Sequence, residues 1–216
     1  MPTDGSRHSG TGSRTGPASR QAIIDAGVEL FADRGFDGTG VQEIVNRSKL
    51  TKGSFYYAFQ SKEDLLRHIQ DEFIDSCLAV ADEVIAADHR PDARLAKIVE
   101  AFIALVAEQH AQMSIFFQES RYLREDLFAD VRRKRDLFEE KITAVIREGQ
   151  REGTFRNIPS RITTFGVVGM CAWTYHWIRP DFGPTDDIAQ IYTDLLLNGL
   201  YAPGAGPVGR SPAPEA

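Results

Sequence analysis

Cysteine is scarce in this sequence, positive charge is in deficit, and no apolar run is long. Cys77 and Cys171 are the only cysteines. Two are too few for a disulfide-dense secreted scaffold or a four-cysteine zinc site, and they suit a reducing, cytoplasmic setting. The formal net charge of -6 argues against a protein that coats nucleic acid indiscriminately, although a local basic face remains compatible with it. The longest stretch without formal charge, 162 to 178, falls short of a membrane span and contains His176 and several Gly and Thr. A buried or interface helix is expected there, and no membrane partner. Residues 1–18 lack the apolar segment of a signal peptide. Strand-like alternation is missing throughout, which predicts an all-α fold. Cys171 and His176 lie near each other in sequence, but no carboxylate is spaced to complete a nucleophilic site, so the chain does not read as an enzyme. No metal or cofactor is implied.

What is present is a globular composition, 42% hydrophobic and 26% charged over 216 residues, enough for a proper core. Residues 1–18 read as a disordered arm, either an inert leader or a basic arm in which Arg7 and Arg14, with Arg20 beyond them, lie along phosphates. From Arg20 the pattern turns helical, with Ile23, Ala26, Leu30 and Phe31 on one face and Gly35 as the stop. Thr39-Gly40-Val41-Gln42 has the form of a capping box that opens a second helix. Ser48-Lys49-Leu50 is a turn, and Thr51 caps a third short helix that carries Tyr56 and Tyr57. Two short helices joined tightly, the second with exposed aromatic and basic groups, make a helix-turn-helix with its recognition element.

Ser61 then caps a long helix whose apolar stripe runs from Leu65 to Val84. Its length carries it out of a three-helix head and into a second body. Helical patterns follow over 95–108, 110–122 and 124–152. The uncharged helix opens at Pro159 and runs to Ile178. Thr185 caps a last helix, 186–200. Residues 203–216 are rich in Pro, Gly and Ala and are expected to be disordered. The organisation is therefore an arm (1–18), a DNA-binding head (19–65), a ligand-binding and dimerisation body (66–202) and a tail (203–216).

The head resembles the DNA-binding domain of TetR-type transcriptional repressors. The matching residues are Ile24, Ala26, Leu30-Phe31, Gly35-Phe36, Thr39, Val41, Ile44, the run Thr51-Lys52-Gly53-Ser54-Phe55-Tyr56-Tyr57 with Phe59, and Ser61-Lys62 with Leu65. Two positions depart from the pattern. Lys49 stands where the turn usually has Gly, and Ala58 stands where His is frequent. Near the end, Trp173-Thr174-Tyr175-His176-Trp177-Ile178-Arg179-Pro180 and the final Leu195-Leu196-Leu197 look like the branch of these repressors that answers to acyl-CoA thioesters of fatty-acid or steroid breakdown.

Candidate DNA contacts are Arg20, Thr39, Gln42, Lys49, Thr51, Lys52, Gly53, Ser54, Tyr56, Tyr57 and Lys62. The first turn of a helix offers free N–H groups to phosphates, and Gly53 allows close approach. Adjacent tyrosines point about 100° apart on a helix, so at least one ring faces outward. Gln42 either reads adenine or serves as the capping partner of Thr39. Lys62 meets a phosphate or is a solvated lysine. Candidate effector contacts are Met113, Phe116, Phe117, Trp173 and Trp177, with His176 and Arg179 as polar tips; ordinary core packing is the competing reading for each.

Together these predict a ligand-responsive repressor that binds a palindromic operator in double-stranded DNA as a homodimer. A small hydrophobic effector, of the acyl-CoA class by resemblance, would release it. Ile188, Ile191, Leu195 and Leu196 with the uncharged helix would form the dimer face. The alternatives are a regulator of multidrug efflux, for which Glu108 and Glu119 are the carboxylates available to a lipophilic cation, and a helical scaffold that binds only proteins.

Overall fold

The computed structural model describes residues 16–87, 90–119, 121, 125–178 and 183–205. Among these, the chain is helical, and its single β-bridge joins Phe155 to Tyr201. The helices are α1 (Pro17–Arg34), α2 (Val41–Arg47), α3 (Lys52–Ala58), α4 (Lys62–Ala86), α5 (Pro91–Glu108), α6 (His110–Gln118), α7 (Glu125–Arg151), α8 (Ser160–Ala172) and α9 (Thr185–Leu200). A short 3-10 turn, Trp173–His176, follows α8. No helix among the described residues is long and apolar enough to cross a membrane.

Two apolar clusters share this framework. The head cluster gathers Ile23, Phe31, Phe36, Ile44, Phe55, Phe59, Leu65, Leu66 and Ile69, and takes Ile115 from α6. The body cluster begins at Phe73 on the same long α4 and includes Leu95, Phe102, Met113, Phe138, Ile142, Cys171 and Leu200. The packing boundary therefore falls inside α4, between Ile69 and Phe73, a turn beyond the position expected from sequence. α1 packs so closely on α4 that a Cβ on Gly27 would stand 2.8 Å from Leu65 Cδ2.

Several local expectations need correction. Helix α1 begins at Pro17, whose missing N–H costs nothing in a first turn, so the arm is shorter than 1–18; residues 1–15 and 206–216 lie outside the described residues. Thr39 does not cap α2. Its hydroxyl donates to the carbonyls of Leu30 (3.2 Å) and Gly35 (2.9 Å). Gly40 takes the cap position, and its N–H donates to Glu43 Oε2 at 2.9 Å. Gln42 turns outward and donates to Asn46 Oδ1. The uncharged helix ends at Ala172 rather than running to Ile178. Thr185 is the first residue of α9, not its cap. Gly35 (φ 73°) and Gly153 (φ 77°) stop α1 and α7 in the left-handed region, as expected of glycine.

Candidate functional site

The outer face of the head is built by two buried rings. Phe55 and Phe59, one turn apart, are buried with their centroids 6.1 Å from each other. They pin α3 down, so Tyr56 and Tyr57 between them face out while Ala58 packs against the head cluster. Tyr57 is 78% exposed and Tyr56 is 56% exposed, the latter with its ring edge on Phe55. Thr51 caps α3 by accepting from Ser54 N–H at 3.1 Å. Thr51, Lys52 and Gly53 are exposed on the first turn, and Ser54 is half-buried. Gly53 has no protein atom closer to its Cβ position than Thr51 Oγ1 at 3.6 Å, so its surface is open to a ligand backbone. Lys49 holds φ at 57°, the left-handed turn that glycine would supply, and its side chain is exposed. Arg20 reaches this face from α1: together with Gly16, Pro17 and Ser19 it lines a concavity shared with Ser54, Tyr57 and Ala58.

Two candidate contacts are turned away from this face. The Thr39 side chain is buried, 1% exposed, with its hydroxyl spent on two carbonyls, so it cannot touch a phosphate. Lys62 donates its ammonium to Phe36 O (2.7 Å) and Thr39 O (2.9 Å) and lies 4.0 Å from the Phe36 ring centroid. It clamps the α1–α2 connection, a structural duty that neither the solvated nor the phosphate-binding reading included. Gln42 stays available on the surface of α2.

Behind the head, α4, α5, α6, α7 and α8 enclose a cavity of about 420 Å³, within the usual range for a small-molecule site. Met113, Phe116, Phe117 and Trp173 line it, as do Phe73, Phe102, Phe138 and Tyr175. Phe117 and Tyr175 stack, 5.8 Å apart and 10° from parallel. Trp177 does not reach the cavity; it packs on Tyr192 of α9 at 6.3 Å. His176 is exposed, does not line the cavity, and lies against Trp173 with centroids 4.2 Å apart and the rings tilted by 55°. Arg179 lies outside the described residues.

The polar groups of the cavity are ones sequence reasoning missed. Arg135 and Glu139 of α7 stand on its wall, 3.9 Å apart. Burial pushes the Glu139 carboxyl up from its ordinary range, while Arg135 opposes that, Asp136 reinforces it and Arg161 opposes it. Arg135 Nε is buried without a hydrogen-bond acceptor. The signal was available: Val131, Arg135, Phe138, Glu139 and Ile142 share one helical stripe, and two charges on an otherwise apolar stripe call for a reason. Glu119, one of the two carboxylates that the efflux alternative had available, is at the head, where its Oε1 accepts from Phe36 N–H at 3.0 Å. Glu108 lines a separate polar cleft between α1, α4 and α6. Cys77 borders the cavity, and burial pushes its thiol up to about 12, which removes it as a nucleophile at neutral pH. No cluster of potential metal ligands occurs among the described residues.

A capped recognition helix with exposed tyrosines, mounted on a helical body that holds a partly open, mainly apolar cavity, defines a helix-turn-helix regulator. Residues 23–69 match the family described as bacterial regulatory proteins, tetR family, and residues 88–200 match the tetracyclin repressor-like C-terminal domain. The chain belongs to the TetR family of transcriptional regulators. Among its relatives, the HTH-type transcriptional repressor KstR2 of Rhodococcus jostii is 27% identical over 187 residues, covering 85% of this chain and 92% of that one. The regulator PfmR of Thermus thermophilus superposes with a TM-score of 0.77 at 27% identity, over 83% of this chain and 99% of that one. AibR, solved in complex with isovaleryl coenzyme A and operator DNA, superposes with a TM-score of 0.74 at 25% identity, over 85% and 98% of the two chains. The family consists of transcriptional regulators rather than enzymes, in agreement with the sequence reading.

Proposed function

We propose that this chain represses transcription by binding a palindromic operator as a homodimer, and that an acyl-CoA thioester releases it. The observation that carries the reading is the position of α6. Met113, Phe116 and Phe117 of this helix line the cavity. Ile115 of the same helix sits in the head cluster, its carbonyl accepts from Gln70 of α4, and Glu119 at its end holds Phe36 N–H. A guest that moves α6 therefore moves the head. Sequence reasoning assigned this linkage to α4 alone; α6 is shorter and touches both sites.

One head spans too few base pairs to find a promoter, whereas two heads on a two-fold axis read half-sites about 34 Å apart. Ile162 and Phe165 of α8 and Ile191 and Leu195 of α9 are exposed, and these would form the shared face. Ile188 is buried in the subunit's own core and Leu196 packs against that core, so only part of the apolar stripe of α9 is left for the proposed shared face.

The cavity's chemistry supports the effector class. Aromatic and methionine walls suit an acyl or ring-bearing group, and Arg135 and Arg161 supply positive charge beside it. The charged nucleotide portion of a coenzyme A thioester would stay in water at that edge. AibR was crystallised with such a thioester, which makes the class a natural one to test. Swinging a two-state head from 1:99 to 99:1 takes a preference of about 5.5 kcal/mol, which burial of roughly seven methylenes at about 0.8 kcal/mol each would supply. The efflux-regulator alternative needs an unneutralised carboxylate facing aromatics; Glu139 is the carboxylate on this wall, and two arginines act on it.

The test is a fluorescence-anisotropy titration of a duplex selected by the protein from a random pool. Isovaleryl and longer acyl-CoA thioesters, free coenzyme A and the free acids would be added in turn. Release by thioesters alone is expected. Release by lipophilic cations instead would replace the effector assignment, and failure to select any duplex would end the repressor reading.

A further inference from the structure

At the back of the recognition helix, one ring nitrogen faces two partners that it cannot satisfy at once. His68 Nε2 lies 3.0 Å from Arg20 Nη1 and 3.0 Å from Glu72 Oε1. A guanidinium only donates and a carboxylate only accepts. Nε2 therefore meets Arg20 only as a bare lone pair, and meets Glu72 only as N–H. The proton decides which contact is a hydrogen bond. The rest of the setting fixes the geometry. The Arg20 guanidinium lies over the Phe59 ring, 4.8 Å from its centroid, and the His68 ring lies 5.6 Å from the same ring. Arg20 also borders the concavity that Ser54 and Tyr57 share on the DNA-facing side.

We infer that His68 is a proton-operated catch on Arg20: the neutral ring holds the guanidinium against Phe59, and protonation transfers the ring to Glu72 and frees Arg20 for a backbone phosphate. This deepens the DNA-binding reading proposed above and rests on it. In the neutral state Arg20 donates to Nε2, and the ring carries its hydrogen on Nδ1. In the protonated state both ring nitrogens carry hydrogen, Nε2–H donates to Glu72, and two like charges face each other across the former bond. Arg20 then gains by moving to an anion.

The groups around the ring are accounted for. Burial draws His68 below the usual histidine range; Glu72 opposes this, Arg20 and Arg67 act with it, and Asp71 opposes it. Asp71 is also bound by Lys134 of α7 at 2.6 Å. Arg67 is bound to Asp64 at 3.1 Å. Phe59, from the end of α3, brings no charge. The sign follows from linkage: a phosphate that takes Arg20 away relieves the protonated ring, so DNA raises the affinity of His68 for its proton, and the proton raises affinity for DNA by the same factor. The gain is complete below the free protein's own titration point and is lost as pH rises through that of the complex.

The experiment measures affinity for the selected duplex between about pH 5.5 and pH 8, at several salt concentrations, for wild type, His68→Gln, Arg20→Gln and Glu72→Gln. Wild-type binding is expected to tighten about tenfold toward acid, with a salt dependence steeper by about 0.9 for each head that gains a phosphate. His68→Gln keeps a carbonyl acceptor for Arg20 at every pH and should bind at the alkaline wild-type level with no pH slope. Arg20→Gln should also be flat. Glu72→Gln keeps an oxygen acceptor but removes the negative charge that favours the protonated ring, on a half-exposed surface that tolerates the change, so the acid gain should shift to lower pH. NMR titration of His68 supplies a readout without DNA: its midpoint should lie lower in the free protein than in the complex. A wild-type pH slope that survives in His68→Gln, or a His68 midpoint unmoved by DNA, overturns the inference. Absence of any selected duplex for the wild type at every pH would instead overturn the DNA-binding reading beneath it.

Discussion

Single residues in the head show how far local pattern reaches. Thr39-x-x-Gln42 and Gly40-x-x-Glu43 lie one residue apart, and only the first reads as a capping box, because threonine has a side-chain oxygen that can accept a first-turn N–H. The fold takes the second because the Thr39 hydroxyl is consumed by the Leu30 and Gly35 carbonyls in the core. Burial, a non-local property, overrode the local pattern. Thr39→Val should therefore act on stability: loss of a buried hydroxyl that serves two carbonyls costs about 1–3 kcal/mol, read as a lower denaturant midpoint. The left-handed turn at Lys49, by contrast, was legible as a glycine position occupied by another residue. Its strain is of order 1 kcal/mol, so Lys49→Gly should raise stability by about that amount in the same assay. If the lysine also meets a phosphate, the variant becomes more stable while its operator affinity and salt dependence fall together. Tyr57→Ala, at the most exposed of the recognition-helix rings, should weaken operator binding about tenfold or more while calorimetric effector binding stays near its wild-type value.

Elements carry what residue spacing conceals. The helices, their order and most of their ends follow from periodicity, because each needs one apolar stripe to bury. Which helix touches which does not follow, and the division of α6 between two sites is a fact of packing. Ile115 reads in sequence as one more apolar residue in the run Met113 to Phe117, yet it alone of that run belongs to the head cluster. Arg135 and Glu139 were missed for the opposite reason: on a helix rich in surface charge, two more stand out only when the stripe they share with Phe138 and Ile142 is traced, and only the packing shows that stripe facing a cavity. If α6 transmits the effector's presence, its last contact should matter to coupling more than to either binding event. Glu119→Ala removes the acceptor for Phe36 N–H. We expect thioester affinity by calorimetry to change little, while the thioester's effect on operator affinity shrinks from a coupling of order 1–3 kcal/mol toward zero. Equal losses in coupling and in thioester binding would place Glu119 in the cavity's own support instead.

For the whole molecule, the net charge of -6 and the small size of one head make association the central requirement. A chain with excess negative charge gains little from general attraction to DNA, so in the proposed homodimer the affinity would come from two well-spaced heads. The surface offers a place for the second copy. Ile162 is 69% exposed and Leu195 60% exposed, and around Gly166 and Gly199 there is open space at the Cβ position, so another helix could approach α8 and α9 closely. Apolar groups so exposed add nothing to the folding of a lone subunit, so a charge placed on them leaves the subunit's own core intact. In a two-fold interface the same charge meets its copy across the axis, unpaired and removed from water, a cost of several kcal/mol. Ile162→Glu combined with Leu195→Glu should therefore keep the helical circular dichroism and cooperative melting of a folded chain, yet sediment as a single subunit. Because each lone head then binds a half-site without the second head's effective concentration, operator affinity should fall by about 10² or more. A variant that stays associated, or one that becomes single and still binds the full operator as tightly as wild type, would show that the heads are spaced by some other surface.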